Sequence, residues 1–164
     1  MKKSALGFTL IEILIVIAIT AFLASLAVTN FNEQMPHRQL REASLELVGQ
    51  LRLARQKAIS KGADETVLFY PNARQYDASF LGMQTLPSHV RFSSENVTKN
   101  TYNESNLPNN GISFDDNRAI FNSNGSVDNM GAIYLTNSKK ESVAITVNIT
   151  GRVKKFVWNG HGWK

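Results

Sequence analysis

The chain has 164 residues, 43% of them hydrophobic, enough for one compact domain and a long helix. It contains no cysteine, which excludes disulfide staples and thiol chemistry. Its formal net charge of +5 is unevenly spread: residues 36–62 carry six basic and two acidic side chains, residues 63–150 carry six and nine, and residues 151–164 carry Arg152, Lys154, Lys155 and Lys164 with no acid.

Lys2 and Lys3 precede an apolar run from Phe8 to Val28, broken by one acid, Glu12. As a helix rising ~1.5 Å per residue, this run reaches roughly 30 Å, the depth of a hydrocarbon core. Lysines ahead of such a run hold the N-terminus in the cytoplasm. Three readings compete. A secretory signal peptide is suggested by the small residues Ser25 and Ala27, although the run is longer than the usual apolar core and holds a carboxylate. An ordinary transmembrane anchor must carry Glu12 into lipid, at a cost of about 3 kcal/mol unless it is compensated. The third reading rests on Gly7-Phe8-Thr9-Leu10-Ile11-Glu12, which resembles the cleavage motif of type IV prepilins and type II secretion pseudopilins. The resemblance implies cutting after Gly7 by prepilin peptidase and methylation of the new Phe8 amine. It also implies an assembly role for Glu12 opposite an N-terminal amine in the filament, where paired charges offset part of their desolvation. Many pilins carry a proline where this chain has Thr29, so Pro36 is the nearer candidate for a kink.

After Pro36, Leu40, Ala43, Leu47, Leu51, Ala54 and Ala58 recur at three- and four-residue steps, widened by Val48 and Ile59, which predicts an amphipathic helix. Gly62 is placed to cap it. Arg41, Arg52, Arg55, Lys57 and Lys61 fall mostly off the stripe and read as a solvated face or as a contact surface. From Glu65 onward short β-rich runs alternate with turn residues: Thr66–Tyr70, Gln75–Phe80, His89–Phe92, Gly111–Phe114, Ala119–Phe121, Ala132–Leu135, Ser142–Ile149 and Val153–Trp158. Residues 93–110, rich in Asn and Ser, read as a long loop.

Leu51-Arg52-Leu53-Ala54-Arg55-Gln56-Lys57-Ala58-Ile59 with Gly62 is similar to the helix end of GspH/FimT-type minor pilins and pseudopilins. Ile120-Phe121-Asn122-Ser123-Asn124-Gly125-Ser126 is similar to their F-x-x-x-G turn, and Val143-Ala144-Ile145-Thr146-Val147 with Thr150-Gly151-Arg152-Val153-Lys154 to their late strand and Gly-Arg turn. The resemblance implies an α+β fold, a long N-terminal hydrophobic helix packed on antiparallel β-sheets. It divides the chain into a leader (1–7), a transmembrane and filament-core helix (8–29), an amphipathic helix continuing into the head (30–62) and a β-rich head (63–164). The implied partners are other pilins or pseudopilins, prepilin peptidase and the inner membrane, with no small-molecule substrate. The implied location is the inner membrane, single-pass with a periplasmic head, and then a pilus or pseudopilus.

No catalytic constellation, cofactor motif or metal-ligand spacing is present in the sequence. His37, His89 and His161 are scattered, and no glycine-rich phosphate loop opens a helix. Asp115-Asp116 reads as a solvated turn, with a calcium pair as the alternative. The tail offers a second function. Arg152, Lys154, Lys155 and Lys164 can neutralise phosphates, and the interleaved aromatics can stack on bases. FimT-type minor pilins include DNA binders whose Gly-Arg-x-Arg tail contributes; here the last arginine is Lys154, which keeps the charge but loses the planar fork. The competing reading is a C-terminal strand with Phe156 and Trp158 on one face, Trp158 in a core, and Lys155 and Val157 on the other face.

Overall fold

The computed structural model describes residues 8–101 and 107–164, with the side chains of residues 26–32 left out of the description. It falls into two compact units, one ending at Met35 and the other running from Pro36 to Lys164. Helix α1 covers Leu10–Lys61, with Pro36 inside it.

In the second unit, the predicted helical stripe is the one that is buried. Leu40, Ala43, Leu47, Val48, Leu51, Ala54 and Ala58 all enter the main core, and Leu47, Leu51, Ala54 and Ala58 are fully buried. Ile59 does not join them; it is 49% exposed and lies over Gly125 instead. The helix ends in a Schellman arrangement. The Ala63 amide donates to the Ala58 carbonyl and the Gly62 amide to the Ile59 carbonyl, with Gly62 at φ +63°. A glycine tolerates that left-handed conformation without the Cβ clash that other residues meet.

Two four-stranded antiparallel sheets pack against this helix. The first has the order β3-β2-β1-β5, built from β1 (Glu65–Tyr70), β2 (Gln75–Ala78), β3 (Gly82–Thr85) and β5 (Arg118–Phe121). The second has the order β4-β6-β7-β8, from β4 (Val90–Phe92), β6 (Gly131–Asn137), β7 (Ser142–Val147) and β8 (Val153–Val157). Alternation along β1 puts Val67 and Phe69 into the core, where Phe69 meets Tyr76, Phe92 and Phe114 at ring-centroid distances of 6.0–6.5 Å.

β6 and β7 are buried along their whole length, because both faces of their sheet are covered. Val143, Ile145 and Val147 face the main core. Ala132, Tyr134 and Ala144 face a second cluster with Val97, Leu107, Trp158 and Trp163. Part of the predicted long loop therefore forms a lid on that sheet: Tyr134 Oη donates to Asn100 Oδ1 at 2.8 Å, and Trp163 Nε1 donates to the Lys99 carbonyl at 2.7 Å.

Several strand boundaries differ from the sequence reading. Gln75–Phe80 stops at Ala78, where the Leu81 amide turns back to the Ala78 carbonyl. The strand β3 that follows, Gly-Met-Gln-Thr, carries no β-branched run or clear alternation to signal it. Gly111–Phe114 is not a strand. β4 occupies one edge of β6 along Leu135–Asn137, and residues 111–113 continue the same edge only through a bridge from Ile112 to Ile133 and bonds to Ala132 and Tyr134. Ser142–Ile149 ends at Val147, because Asn148–Gly151 forms the turn into β8. His89 lies in the turn before β4, and Trp158 lies beyond β8.

Candidate functional site

Among its described residues, the first unit is a helix without a core. Every side chain from Phe8 to Ser25 is exposed, Leu10 at 79% and Ile11 at 67% among them. A helix apolar all round is stable in water only when something covers it. Its start is specified locally. Thr9 precedes the helix, and its Oγ1 and carbonyl accept from the Glu12 amide at 3.3 and 3.2 Å. Thr9-Leu10-Ile11-Glu12 is thus a threonine cap with an acid three residues on, and the acid also sits favourably in the first turn. The sequence signal for this cap, Thr-x-x-Glu before an apolar run, was available and went unread. The hydroxyls inside the run need no water: Thr20 Oγ1 donates to the Val16 carbonyl at 2.8 Å and Ser25 Oγ to the Phe22 carbonyl at 2.7 Å. Among the described residues, no helix is long and apolar enough to cross a membrane. The described side chains of the run stop at Ser25, so the last three residues of the Phe8–Val28 run lie outside them, as does the cleavage residue Gly7.

The three segments that carry the family resemblance converge at the C-terminal end of α1. Arg55 Nε donates to the Gly125 carbonyl at 2.8 Å, and Arg52 Nη2 reaches the Val153 carbonyl at 3.4 Å. Gly151, at φ +73°, lies against Gly125 and Arg55; a Cβ there would collide with the Gly125 carbonyl oxygen and with the Arg55 side chain. The glycines of the two turns are therefore needed for the turns to stack under one arginine. Arg52 is exposed and Arg55 half-buried; with Gln56, Ile59, Arg152 and Val153 they line a hollow of about 560 Å³. Nearby, Glu65 at the start of β1 is buried and accepts from Lys61 and from Ser79. The Lys61 hydrogen bond, aided by Ser79, holds its carboxyl below the ordinary glutamate value despite burial, which works the other way.

The structure separates the tail cations. Arg152 and Lys154 line one small hollow of about 200 Å³ with Thr101, Thr146, Asn148 and Phe156. Lys155 pairs in register with Ile145 and lines a different hollow, beside His37, Leu40 and Arg41. Lys164 is held at the chain end by a reciprocal backbone pair with Val157, at 2.8 and 3.0 Å. The last residues form a hairpin. Asn159 Oδ1 caps the turn by accepting from the His161 and Gly162 amides, and Trp158 and Trp163 pack with centroids 5.1 Å apart. Both indoles are partly buried against the second cluster, so they support the lid. Asp116 pairs with Arg118 at 2.7 Å and Asp115 accepts from Asn129 at 2.7 Å. Among the described residues, no group of three His, Asp or Glu is placed to hold a metal ion.

The profile of the family described as type II transport protein GspH matches residues 43–151, which include the helix end and all three converging segments up to Gly151. The chain belongs to the GspH family. The prokaryotic N-terminal methylation motif matches residues 2–28 of this GspH-family chain. Two fimbrial proteins of Pseudomonas aeruginosa are each 36% identical over 78 residues, 48% of this chain and 50% of theirs. The chain thus spans about half the length of the curated relatives it matches. Among solved structures, the minor pilin FimU of Pseudomonas aeruginosa superposes with a TM-score of 0.54 at 11% identity, covering 78% of this chain and 94% of FimU. The minor pseudopilin EpsH of Vibrio cholerae gives 0.50 at 13% identity, covering 73% and 97%. At such identities the likeness shows the fold, an N-terminal helix packed on antiparallel sheets.

Proposed function

We propose that the mature chain is a minor pilin or pseudopilin that joins a type IV pilus or a type II secretion pseudopilus through its first helix. The observation that carries this reading is the all-round exposed apolar run from Phe8 to Ser25, within a matched methylation motif. Such a helix needs a bilayer before assembly and neighbouring helices after it. Prepilin peptidase cuts after Gly7 and Phe8 is methylated. The chain is then single-pass in the inner membrane with a periplasmic head, and other pilins or pseudopilins are its partners. Glu12 sets register by facing a neighbour's N-terminal amine. The protein acts by assembly and not by catalysis. Mass spectrometry of the processed protein is expected to find N-methylated Phe8 at its start. An N-terminus near Val28 would make the apolar run a signal peptide and end the reading.

A second reading, capture of DNA by the same subunit, is favoured by one observation: Arg152 and Lys154 open onto a common hollow and Arg152 also borders Arg52 and Arg55. Lys155 lines a different hollow, and Lys164 lies at the end of the hairpin. We infer that Arg152 and Lys154 would make the principal phosphate contacts, with Lys155 and Lys164 secondary. Binding would be independent of sequence. Removing each contacting cation should lower the slope of log K against log salt by about one unit. Titration of duplex and single-stranded DNA with Arg152→Gln and Lys154→Gln tests this; affinity indifferent to both leaves a purely structural subunit.

A further inference from the structure

The head carries a second basic hollow that neither reading uses. It has a volume of about 620 Å³ and is lined by Arg74, His89, Arg91 and Lys140, with Glu95 as its one acid. Arg91 holds Glu95 at 2.6 Å, and Arg74 donates to the Ser88 carbonyl at 2.7 Å, which fixes both guanidinium stems. Lys140 sits at the tip of the β6–β7 turn at φ +65°, with no ion pair among the described residues. Ser88, Asn96 and Ser138 add neutral donors to the lining.

The position of this hollow gives it meaning. The His89 amide donates to Gln39 Oε1 at 3.1 Å, and the Ser138 amide donates to the His89 carbonyl. Beside it, His37 meets Glu141 at 3.1 Å, and Glu141 also accepts from Asn137. The hollow therefore lies at the end of the head that carries Pro36–Gln39, the first residues of that unit in chain order. Arg38, Arg41 and Lys139 are exposed at neighbouring positions of the same segments. Nine residue steps separate His37 from the end of the apolar run at Val28. Even a fully extended chain covers only about 30 Å in that length. If the run spans a bilayer, this basic end is tethered within reach of the phosphate layer, whatever the orientation of the head.

Resting on the membrane-anchored reading, we propose that this hollow docks the head onto the phosphates of anionic lipid headgroups before the subunit leaves the membrane. Guanidinium forks and an ammonium beside hydroxyl and amide donors suit phosphate oxygens. Each Lys or Arg near an anionic leaflet adds about fivefold to surface attachment. The full chain would be reconstituted in nanodiscs of neutral phosphatidylcholine alone, or with added phosphatidylglycerol. Because the chain has no cysteine, a fluorophore can be placed singly by Lys139→Cys, with Ser123→Cys as the control at the far end of α1. A quencher on the lipid headgroups reads the distance. The expected result is strong quenching at 139 in anionic discs, weak quenching in neutral discs or high salt, and little at 123. Arg74→Gln with Arg91→Gln and Lys140→Gln should abolish it. Lys140→Gln alone, on an exposed turn, should weaken docking about fivefold without affecting the fold. Equal quenching in both lipids, or quenching untouched by the triple change, overturns the proposal. Orthophosphate bound by the head with no quenching at 139 in anionic discs would identify a site for the free ion and also overturn it. Failure of the chain to enter either disc would instead overturn the anchored reading on which the proposal rests.

Discussion

Glu65 shows what the position of a residue in a pattern leaves out. It opens a β-rich run, yet its side chain is only 5% exposed and accepts from both Lys61 and Ser79. Its partner lies four residues back, on the last turn of α1, so the pair ties the helix end to the first strand. No periodicity argument reaches it, because the contact crosses an element boundary. The pH consequence follows from the lowered pKa. The folded state holds its proton less tightly than the unfolded chain, so the contribution is complete above the ordinary value near 4.5 and is lost as pH falls below it. The melting temperature of the wild-type head should therefore drop more steeply than that of Glu65→Gln as pH falls below 4.5. Parallel curves for the two proteins would show that the pair does not contribute to acid stability. Lys61 is half exposed, so salt should soften the difference.

At the scale of elements, the long amphipathic helix and most strands were legible: the 3.6 periodicity is written in Leu40–Ala58 and alternation in β1, while β6 and β7 read as short β-rich runs bounded by turn residues. The cap at Gly62 was legible for the same local reason. What was not legible was the joining of elements: β3 follows from a hairpin turn, residues 111–113 follow from the free edge that β4 leaves on β6, and the tail hairpin follows from the sheet face its indoles cover. The helix end is the clearest case. Sequence resemblance marked Arg55, Gly125 and Gly151 separately, and only the fold shows that Arg55 donates to one turn while the other stacks on it. Arg55→Ala is expected to destabilise the head by about 1–3 kcal/mol, since it leaves a carbonyl without its donor and removes the packed stem. Arg55→Lys should recover little, because an ammonium does not reproduce the Nε–H direction. Urea unfolding measures the loss, and hydrogen exchange should show faster exchange at the Gly151 amide, which closes the turn on Asn148. A change within about 0.5 kcal/mol would return Arg55 to an ordinary surface position.

For the whole molecule, the two units differ in kind: one holds every buried hydrophobic residue described, the other holds none. The main core runs in sequence from Leu40 to Val153, and the second cluster closes with Trp158 and Trp163. Nothing between Phe8 and Ser25 contributes to either. The head's hydrophobic stabilisation therefore needs nothing from residues 8–25, whose exposed apolar surface the proposed function buries against lipid or neighbouring subunits. A chain starting at Asn30 should fold, remain soluble and melt cooperatively, at the same temperature as the head of the full chain measured in detergent. The comparison isolates the two functions of α1. Residues Leu40–Ala58 act as a core element, and a change such as Leu51→Ala there should cost about 2–5 kcal/mol in either form. Under the proposed function residues Leu10–Leu23 serve assembly, so apolar-to-smaller changes there should leave head melting untouched while reducing co-purification with the filament. A truncated head that is molten or aggregated would mean that the first unit supplies folding energy as well, and that the division of labour along α1 is wrong.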